Sequence, residues 1–359
     1  MEYTFKELKK RQAHADLSIL NRDITVCIDR ITILVSSDNK YIKPIFREFY
    51  HQIFAKLDHL FVSSIDTKNQ FTISKTLEED SYINLIFIEY VNIGNHDDIR
   101  IDFNPNTLKE FEGMSVWRQI MAYIKLNRLD IRLSRIDIAF DIYNRPEIAT
   151  LTTTKGGIKQ TIYLGRGGEL ETLYLGASGS NVQVRLYDKN KESISHKRYD
   201  KMDLEKNPFW WRLEFQLRTK AINEETVLEL MKRLDTMGYY DIRQFSLDDR
   251  IFITLFLYAP HQLKMVYSGM SDNAIAIRKS KLRAKLREQT NEFSLELKQV
   301  LEDNLSNLGK ELNKYSDEFL GFNDALTQYG YGVSTFLSFF HLDDCYSELT
   351  TKYHDENDL

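Results

Sequence analysis

Cysteine is scarce in this sequence: its 359 residues include only Cys27 and Cys345. So few thiols exclude a disulfide framework and a zinc site built from cysteines. Long apolar runs are absent too, and the longest, such as Ile251–Leu257, are far too short for a membrane-spanning helix. Residues Met1–Glu7 lack the apolar core of a signal peptide. We therefore expect a protein of the reducing cytoplasm.

Other absences narrow the function and the architecture. The sequence has no Gly-x-x-x-x-Gly-Lys-[Ser/Thr] phosphate loop, so we do not expect ATP hydrolysis by this chain. Proline and glycine are sparse, at five and fifteen residues, and neither a repeat nor a linker is evident. Hydrophobic residues make up 42% of the chain, which at this length is enough for one large core or two modest ones.

The net charge of −5 is distributed unevenly along the chain. The last seventeen residues are acidic, whereas one stretch of ten residues carries six basic side chains. Binding to phosphates needs only such a local basic surface, so the overall charge does not exclude a nucleic-acid partner. A solvated helix face is the alternative interpretation. The six residues are Arg278, Lys279, Lys281, Arg283, Lys285 and Arg287.

Hydrophobic periodicity predicts an α+β fold. Alternation with period two dominates from Ile24 to Leu217, interrupted by predicted helices at about Ile42–Leu57 and Ser115–Leu126. Beyond this region the period changes to 3.6. We predict a large, mostly antiparallel sheet domain with packed helices over residues 1–220, followed by a mainly helical region over residues 221–359. Helices are expected at about residues 227–234, from residue 273 through the basic stretch, and at residues 297–312.

Polar side chains alternate with apolar ones on the predicted strands at residues 135–142, 182–189 and 211–218, and a fourth strand at 99–104 repeats the pattern. Because successive side chains point to opposite faces, each strand would pack one face on a core and present polar groups on the other. A solvated face with ion pairs is the ordinary explanation for such a pattern. Here, however, the polar row is rich in carboxylates and arginines and includes a tyrosine.

This combination of groups suits chemistry at a phosphate. Asp137 and Asp141 are separated by roughly 13 Å along an extended strand, so without a bulge or twist each would need a carboxylate from a neighbouring strand to hold one ion. A few carboxylates with several waters are the usual ligands of Mg²⁺ at phosphate sites. Tyr187 would then attack a phosphate whose charge is offset by the metal and by Arg185.

Several stretches match a known family in order, over roughly residues 95–220. They are Ile99–Asn106, Ser134–Asp141, Trp211–Glu214, and a predicted long hairpin from Lys159–Arg166 to Arg185–Glu192. At these residues the chain resembles the Rep_trans family, the replication initiators of small Gram-positive plasmids of the staphylococcal RepC/RepD type.

The resemblance implies rolling-circle replication initiation. The nucleophilic tyrosine of the family's Arg-x-Tyr-[Asn/Asp]-Lys motif falls on Tyr187, with Arg185 and Lys189 in the same motif. Such proteins nick and religate one strand at the double-strand origin by transesterification, forming a 5′-phosphotyrosine adduct. They act as homodimers and recruit a host helicase of the PcrA type. Their origin specificity lies near the C-terminus, which points to residues 271–288 and their six basic side chains.

The resemblance also implies a divalent metal, Mg²⁺ or Mn²⁺. Many rolling-circle nickases bind it through a His-hydrophobe-His pair, but no two of the eight histidines have this spacing. Carboxylates must then replace them. The first candidates are Asp137 and Glu214. Asp102 and Asp141 are weaker candidates, since pairing with Arg100 or Arg212 is the alternative for either of them.

Two other functions remain open. One is the same chemistry in a conjugative relaxase or a transposon nickase built on a related domain. The other is a non-catalytic origin-binding or copy-control protein that uses the polar sheet face as a platform for DNA. Relaxation of a supercoiled plasmid carrying the cognate origin separates an enzyme from a binding protein.

Overall fold

The computed structural model describes residues 3–37, 42–54, 61–67, 69–77, 81–93, 96–199, 201–218, 222, 226–289 and 291–315. The predicted helix end at Leu57, the predicted domain boundary after Lys220, Cys345 and the acidic last seventeen residues lie outside these ranges. The chain divides into two compact units. The first unit comprises Met1–Thr25, Phe140–Glu214 and Val227–Leu301, and the second comprises Val26–Ala139, Phe215–Thr226 and Glu302–Leu359.

Helices and strands follow one another in an α+β order, which confirms the predicted fold class. Up to residue 143 they are α1 (Phe5–His14), β1 (Ile24–Ser36), α2 (Ile42–Phe54), β2 (Phe61–Thr67), β3 (Gln70–Thr76), β4 (Tyr82–Ile93), β5 (His96–Phe103), α3 (Pro105–Glu110), α4 (Met114–Leu126) and β6 (Asp130–Tyr143). A 3₁₀ turn (Pro146–Thr150), β7 (Thr152–Thr153), β8 (Gln160–Leu164), β9 (Leu170–Leu175), β10 (Val182–Asp188), α5 (Lys189–Ser195) and β11 (Trp210–Arg218) come next. The remaining elements are α6 (Thr226–Leu234), β12 (Met237–Gly238), α7 (Leu247–Tyr258), α8 (Pro260–Val266), α9 (Asp272–Arg287) and α10 (Glu292–Asn313).

In the second unit the strand order is β2-β3-β4-β5-β1-β6. The β2–β3, β3–β4, β4–β5 and β5–β1 pairs are antiparallel. Branched side chains of paired strands face each other, as in the pair Ile33 and Ile101, and both are buried. Phe103 packs on Trp117 of α4, with the ring centroids 4.5 Å apart. Alternating apolar residues thus produce a sheet with one face covered by helices.

In the first unit the strand order is β6-β11-β10-β9-β8, and the boundary between the units falls inside β6 and β11. The predicted long hairpin from residues 159–166 to 185–192 is wrong, because β9 lies between its two arms. β8 pairs with β9 and β9 pairs with β10, both antiparallel, so the segment is a three-stranded meander. Two turns make this possible, with Gly168 and Gly176 at φ +82° and +101°, where a side chain would be strained.

The helices after β11 pack partly on one another. Leu263 of α8 and three apolar residues of α9, Ile275, Leu282 and Leu286, are buried against Phe252 and its neighbours in α7. These three residues form the inward face of the basic helix, and the Ser271 side chain caps it by accepting a hydrogen bond from the backbone N–H of Ala274. None of the helices within the described ranges is long and apolar enough to cross a membrane.

Candidate functional site

The polar faces of β6, β10 and β11 are buried, which corrects the expectation that they present open rows of polar groups. Periodicity identifies which side chains share a face, but it does not show whether a second layer covers that face. Buried charges are tolerated when they are paired, and the arginine–carboxylate pairs described below show how this happens here. The buried polar and charged residues of these strands are Asp137, Asp141, Gln183, Asp188, Arg212, Glu214 and Gln216.

Tyr187 lies near the end of β10 between two cationic side chains. Its residue is only 3% exposed. The guanidinium carbon of Arg185 is 3.9 Å from the centroid of the Tyr187 ring, and the Lys189 ammonium is 5.6 Å from it. Contacts of this kind contribute roughly 0.5–2 kcal/mol each, depending on how dry the site is. The structure thus brings together Arg185, Tyr187 and Lys189 of the Arg-x-Tyr-Asp-Lys motif, although their catalytic role stays a prediction.

Arg185 is also held from the next strand. It lies opposite Tyr174 in the β9–β10 ladder, and its guanidinium carbon is 5.8 Å from the centroid of that ring. Its Nε is buried and has no hydrogen-bond partner among the described residues. An unsatisfied buried donor costs about 1–3 kcal/mol. Arg185 thus holds, close to the Tyr187 ring, a buried donor with no partner in the described part of the chain.

Asp188 ends the strand and starts the next helix. Its carboxylate accepts a hydrogen bond of 3.0 Å from the backbone N–H of Lys191, and this caps α5. Burial raises the pKa of Asp188 to about 6, against the lowering effects of the Lys191 backbone N–H and charge. The same helix places Lys189 within 2.8 Å of Glu192. The cap therefore fixes the start of α5, and Lys189, the first residue of this helix, lies beside the Tyr187 ring.

In the first unit, Asp141 is fully engaged by two neighbours on β11. The Arg212 side chain donates two hydrogen bonds to it, at 2.8 and 2.7 Å, and the indole N–H of Trp210 donates a third at 2.7 Å. The pairing with Arg212 is the alternative that the sequence left open. Trp210 was not anticipated, because nothing in its position on the strand distinguishes it from a packing residue.

In the second unit, two further candidate carboxylates also have arginine partners. Asp137 receives hydrogen bonds of 2.7 and 2.5 Å from Arg135, two residues away on the same strand. Asp102 receives one of 2.6 Å from Arg30 and one of 3.2 Å from the Thr32 hydroxyl. Arg100, the partner suggested by the sequence, pairs with Glu89 at 3.2 Å. Each of these carboxylates is thus balanced by a guanidinium.

These pairings bear on the expected metal. Within the ranges that the structure describes, no three acidic, histidine or cysteine side chains are grouped so as to hold a metal ion. Glu214 is buried at 3% exposure in the first unit. In this arrangement Asp102, Asp137 and Asp141 do not fit a cation, because their guanidinium partners would first have to be displaced. The four candidates and the metal itself stay predictions.

The basic helix α9 separates into two sets of side chains. Arg278 is half-buried, pairs with Asp248 at 2.5 Å and Asp249 at 2.6 Å, and stacks on Phe252. Arg283 is half-buried over Phe256, and burial lowers the pKa of both Lys279 and Arg283. The exposed residues are Lys281, Lys285 and Arg287, which form no ion pair with another residue in the described part of the chain. These three form the exposed part of the predicted DNA-binding set.

Comparisons with known proteins give little support to any assignment. No protein-family model matches the chain, and no curated protein matches it. Among solved structures it is similar to the rolling circle replication initiator protein from Geobacillus stearothermophilus, with 16% sequence identity and a TM-score of 0.35. The alignment covers 64% of this chain and 91% of that one. At this TM-score the similarity does not establish a shared fold or a shared function.

Proposed function

We propose that the chain is a plasmid rolling-circle replication initiator that nicks and reseals one strand of origin DNA through Tyr187. The observation that supports it best is the placement of the Tyr187 ring between Arg185 and Lys189. Cations held 3.9 and 5.6 Å from the centre of the tyrosine ring suit attack on a phosphodiester, because they can offset the charge that develops on the phosphate.

The proposed reaction is a transesterification. The Tyr187 oxygen bonds to phosphorus, the bond from phosphorus to the 3′ oxygen breaks, and that oxygen leaves as a 3′-hydroxyl after gaining a proton. The 5′ end stays attached as a phosphotyrosine. Attack by a 3′-hydroxyl reverses the step and reseals the strand. The phosphate must be presented on an unpaired strand, since a paired one cannot enter a site on a sheet.

Relaxation of a supercoiled plasmid that carries the cognate origin tests the proposal. The expected product is an open circle with protein attached at a 5′ end, detected as a labelled band that survives denaturation and disappears after protease treatment. Origin binding without any relaxation would favour the copy-control function instead. Cleavage restricted to a transfer origin or a transposon end would favour the related nickases.

Partners and domain roles are also proposed on the sequence resemblance. We propose a homodimer that passes the nicked plasmid to a host helicase of the PcrA type. Residues 1–220 would carry out the chemistry, and residues 271–288 within the 221–359 region would recognise the origin.

A divalent cation, Mg²⁺ or Mn²⁺, is proposed as the cofactor, with Asp137 and Glu214 as the first ligands to test. Binding at Asp137 requires that Arg135 first leave its carboxylate. Asp137→Asn or Glu214→Gln is expected to weaken cleavage more than DNA binding, because losing a carboxylate weakens the hold on a cation and reduces repulsion of phosphate. Cleavage is measured across a Mn²⁺ titration. A lost ligand shifts the titration to higher Mn²⁺, and a structural defect lowers cleavage at every concentration.

Normal cleavage by either variant over the whole titration would remove that residue from the ligand set and turn attention to Asp102 or Asp141. Full wild-type cleavage in excess chelator would remove the cation from the proposal altogether.

Lys281→Ala combined with Lys285→Ala is expected to weaken binding to duplex origin DNA. Both side chains are exposed on α9, where basic groups can anchor phosphates or read guanine edges. Each lost phosphate contact lowers the salt dependence by roughly one unit of slope. Binding is measured by fluorescence anisotropy at several salt concentrations, with Lys310→Ala on α10 as the control.

Cleavage of a single-stranded oligonucleotide carrying the nick sequence should fall much less in this double variant. A parallel loss of both activities with an unchanged circular dichroism spectrum would place α9 in the catalytic groove and contradict the proposed separation of roles.

A further inference from the structure

We propose that one face of helix α1 is a binding surface for the single-stranded DNA next to the nick. The inference rests on the proposed function for the identity of the strand, and on the first unit alone for its geometry. Neither the sequence patterns nor the resemblance assigns any role to this helix.

The helix is strongly basic in an acidic protein. Four lysine and arginine side chains and one glutamate fall within Phe5–His14, which gives the helix a net charge of +3 (4 − 1) in a chain whose net charge is −5. A solvated helix face would commonly mix charges of both signs. A concentration of one sign instead indicates an anionic partner.

The packing of α1 determines which side chains remain free. Thr4 caps the helix, and Leu8 is 1% exposed in a cluster with Ile194 of α5 and Trp210 of β11. On the same side, the Gln12 amide donates a hydrogen bond to the Pro208 carbonyl. One side of the helix is therefore anchored to the rest of the first unit.

Phe5, Lys6, Lys9 and Lys10 are all exposed. On the helix, Lys6 and Lys10 lie opposite Leu8, and Phe5 and Lys9 lie on the flank between them and Leu8. Residues three and four apart share a helix face, so Phe5 with Lys9 and Lys6 with Lys10 form one continuous surface. Lys9 lies 3.6 Å from Glu169, whereas Lys6 and Lys10 form no ion pair with any other described residue. This surface, Phe5, Lys6, Lys9 and Lys10, is called the α1 platform below.

Helix α1 packs on α5, the helix that follows the strand of Tyr187. Ile194, which packs with Leu8, belongs to α5. A chain of ion pairs also leads there: Lys9 contacts Glu169, and Lys191 of α5 contacts the same glutamate at 3.3 Å. Glu169 immediately precedes β9, the strand paired with β10. A strand held at Tyr187 can therefore continue along the α1 platform.

The composition of the platform favours a single strand over a duplex. Phe5 is 47% exposed, although an apolar ring is normally covered. Proteins that bind unpaired DNA combine basic groups that follow the backbone with aromatic rings on which bases stack, worth roughly 1–3 kcal/mol per base. A paired duplex offers no free base to stack on such a ring. Phe5 beside three lysines has this combination.

The test uses the double variant Lys6→Gln/Lys10→Gln in the full chain with Tyr187→Phe, so that binding is measured without cleavage. The probe is a fluorescent single-stranded oligonucleotide carrying the nick sequence. We expect its affinity to fall by about tenfold, and the slope of log affinity against log salt to fall by roughly 1.4, at about 0.7 per lost phosphate contact. The matched control is Lys232→Gln/Lys310→Gln, which removes two exposed lysines elsewhere and should change neither quantity.

Phe5→Ala provides a second measurement with a different signature. It removes a stacking ring but no charge, so affinity should fall while the salt slope stays unchanged. Unaltered single-strand binding in both variants, or an equal loss of duplex and single-strand affinity, would overturn the inference. If the wild type relaxes no plasmid but Lys6→Gln/Lys10→Gln still weakens single-strand binding, the proposed function fails and the binding surface stands.

Discussion

Replacing Tyr187 with phenylalanine is expected to abolish nicking and the covalent DNA adduct while leaving origin binding nearly unchanged. The substitution removes only the hydroxyl, and the ring that packs against Arg185 and Lys189 is retained. Without the attacking oxygen no phosphotyrosine can form, and the loss should be at least several orders of magnitude, as for other covalent catalysts. The measurement is relaxation of the supercoiled origin plasmid, with anisotropy to confirm binding.

Tyr163→Phe is the matched control for this experiment. Tyr163 and Tyr187 both lie opposite Thr172, one on each side of β9, so they belong to the same row of the meander. Tyr163 is 55% exposed and is expected to be structural. Wild-type relaxation by the Tyr187 variant, or loss of relaxation only in the Tyr163 variant, would contradict the assignment of the nucleophile.

Replacing Asp188 with asparagine is expected to stabilise the protein at neutral pH and to have no effect on stability at low pH. Burial raises the pKa of this carboxyl to about 6, from the 3.8 of a solvated aspartate. Below about pH 4 the group is protonated in both the folded and the unfolded chain. Between about pH 4 and 6 the unfolded chain releases the proton and the folded one keeps it, so folding stability is lost as the pH rises.

The size of this loss is on the order of 3 kcal/mol, from roughly two pKa units at 1.36 kcal/mol each. Asparagine is as good an N-cap as aspartate, so the hydrogen bond to the backbone of Lys191 should be retained. The measurement is the free energy of unfolding by urea for both proteins from pH 4 to 8, and the difference between them isolates this one group. Nicking should persist, since the motif accepts Asn or Asp at this position.

Asp241→Asn is the control for the sign of the effect. The pKa of this exposed carboxyl is lowered to about 2, chiefly by hydrogen bonds from the Arg243 side chain and backbone. Its removal should therefore change stability in the opposite direction, and only slightly because solvent screens the pair. A difference in the free energy of unfolding between wild type and Asp188→Asn that does not change with pH would contradict the raised pKa of Asp188.

Much of the fold follows from periodicity. The helices at residues 42–54 and 114–126 match the predictions, because long apolar stripes leave few alternatives. The meander was missed for a local reason. The sequence shows strand-like patterns at β8 and β10, which suggested that these two strands pair directly. The turns at Gly168 and Gly176 instead place β9 between them. Helix α1 was missed as well, since a single buried Leu8 gives little amphipathic pattern.

The candidate site was less predictable, because the role of each carboxylate depends on which side chain it pairs with, and the alternation of polar residues does not show this. Spacing placed Asp137 and Asp141 on one face but could not show that Arg135 and Arg212 would bind them. The same pattern fits a metal ligand and an ion-paired structural carboxylate. Tyr187, Arg185 and Lys189 were easier to associate, since alternate residues of one strand and the start of the next helix are necessarily near each other.

The burial of Tyr187 has a consequence for fidelity. A nucleophilic tyrosine with an exposed hydroxyl could react with any phosphodiester that contacts the protein. Only a slow chemical step would then limit cleavage at incorrect sites. A side chain that is 3% exposed must first be uncovered. For the proposed nickase, the work of uncovering comes from the binding of the correct DNA, because only its contacts can offset the cost of opening. Recognition of the origin and cleavage are then coupled, because DNA of any other sequence binds without exposing the tyrosine.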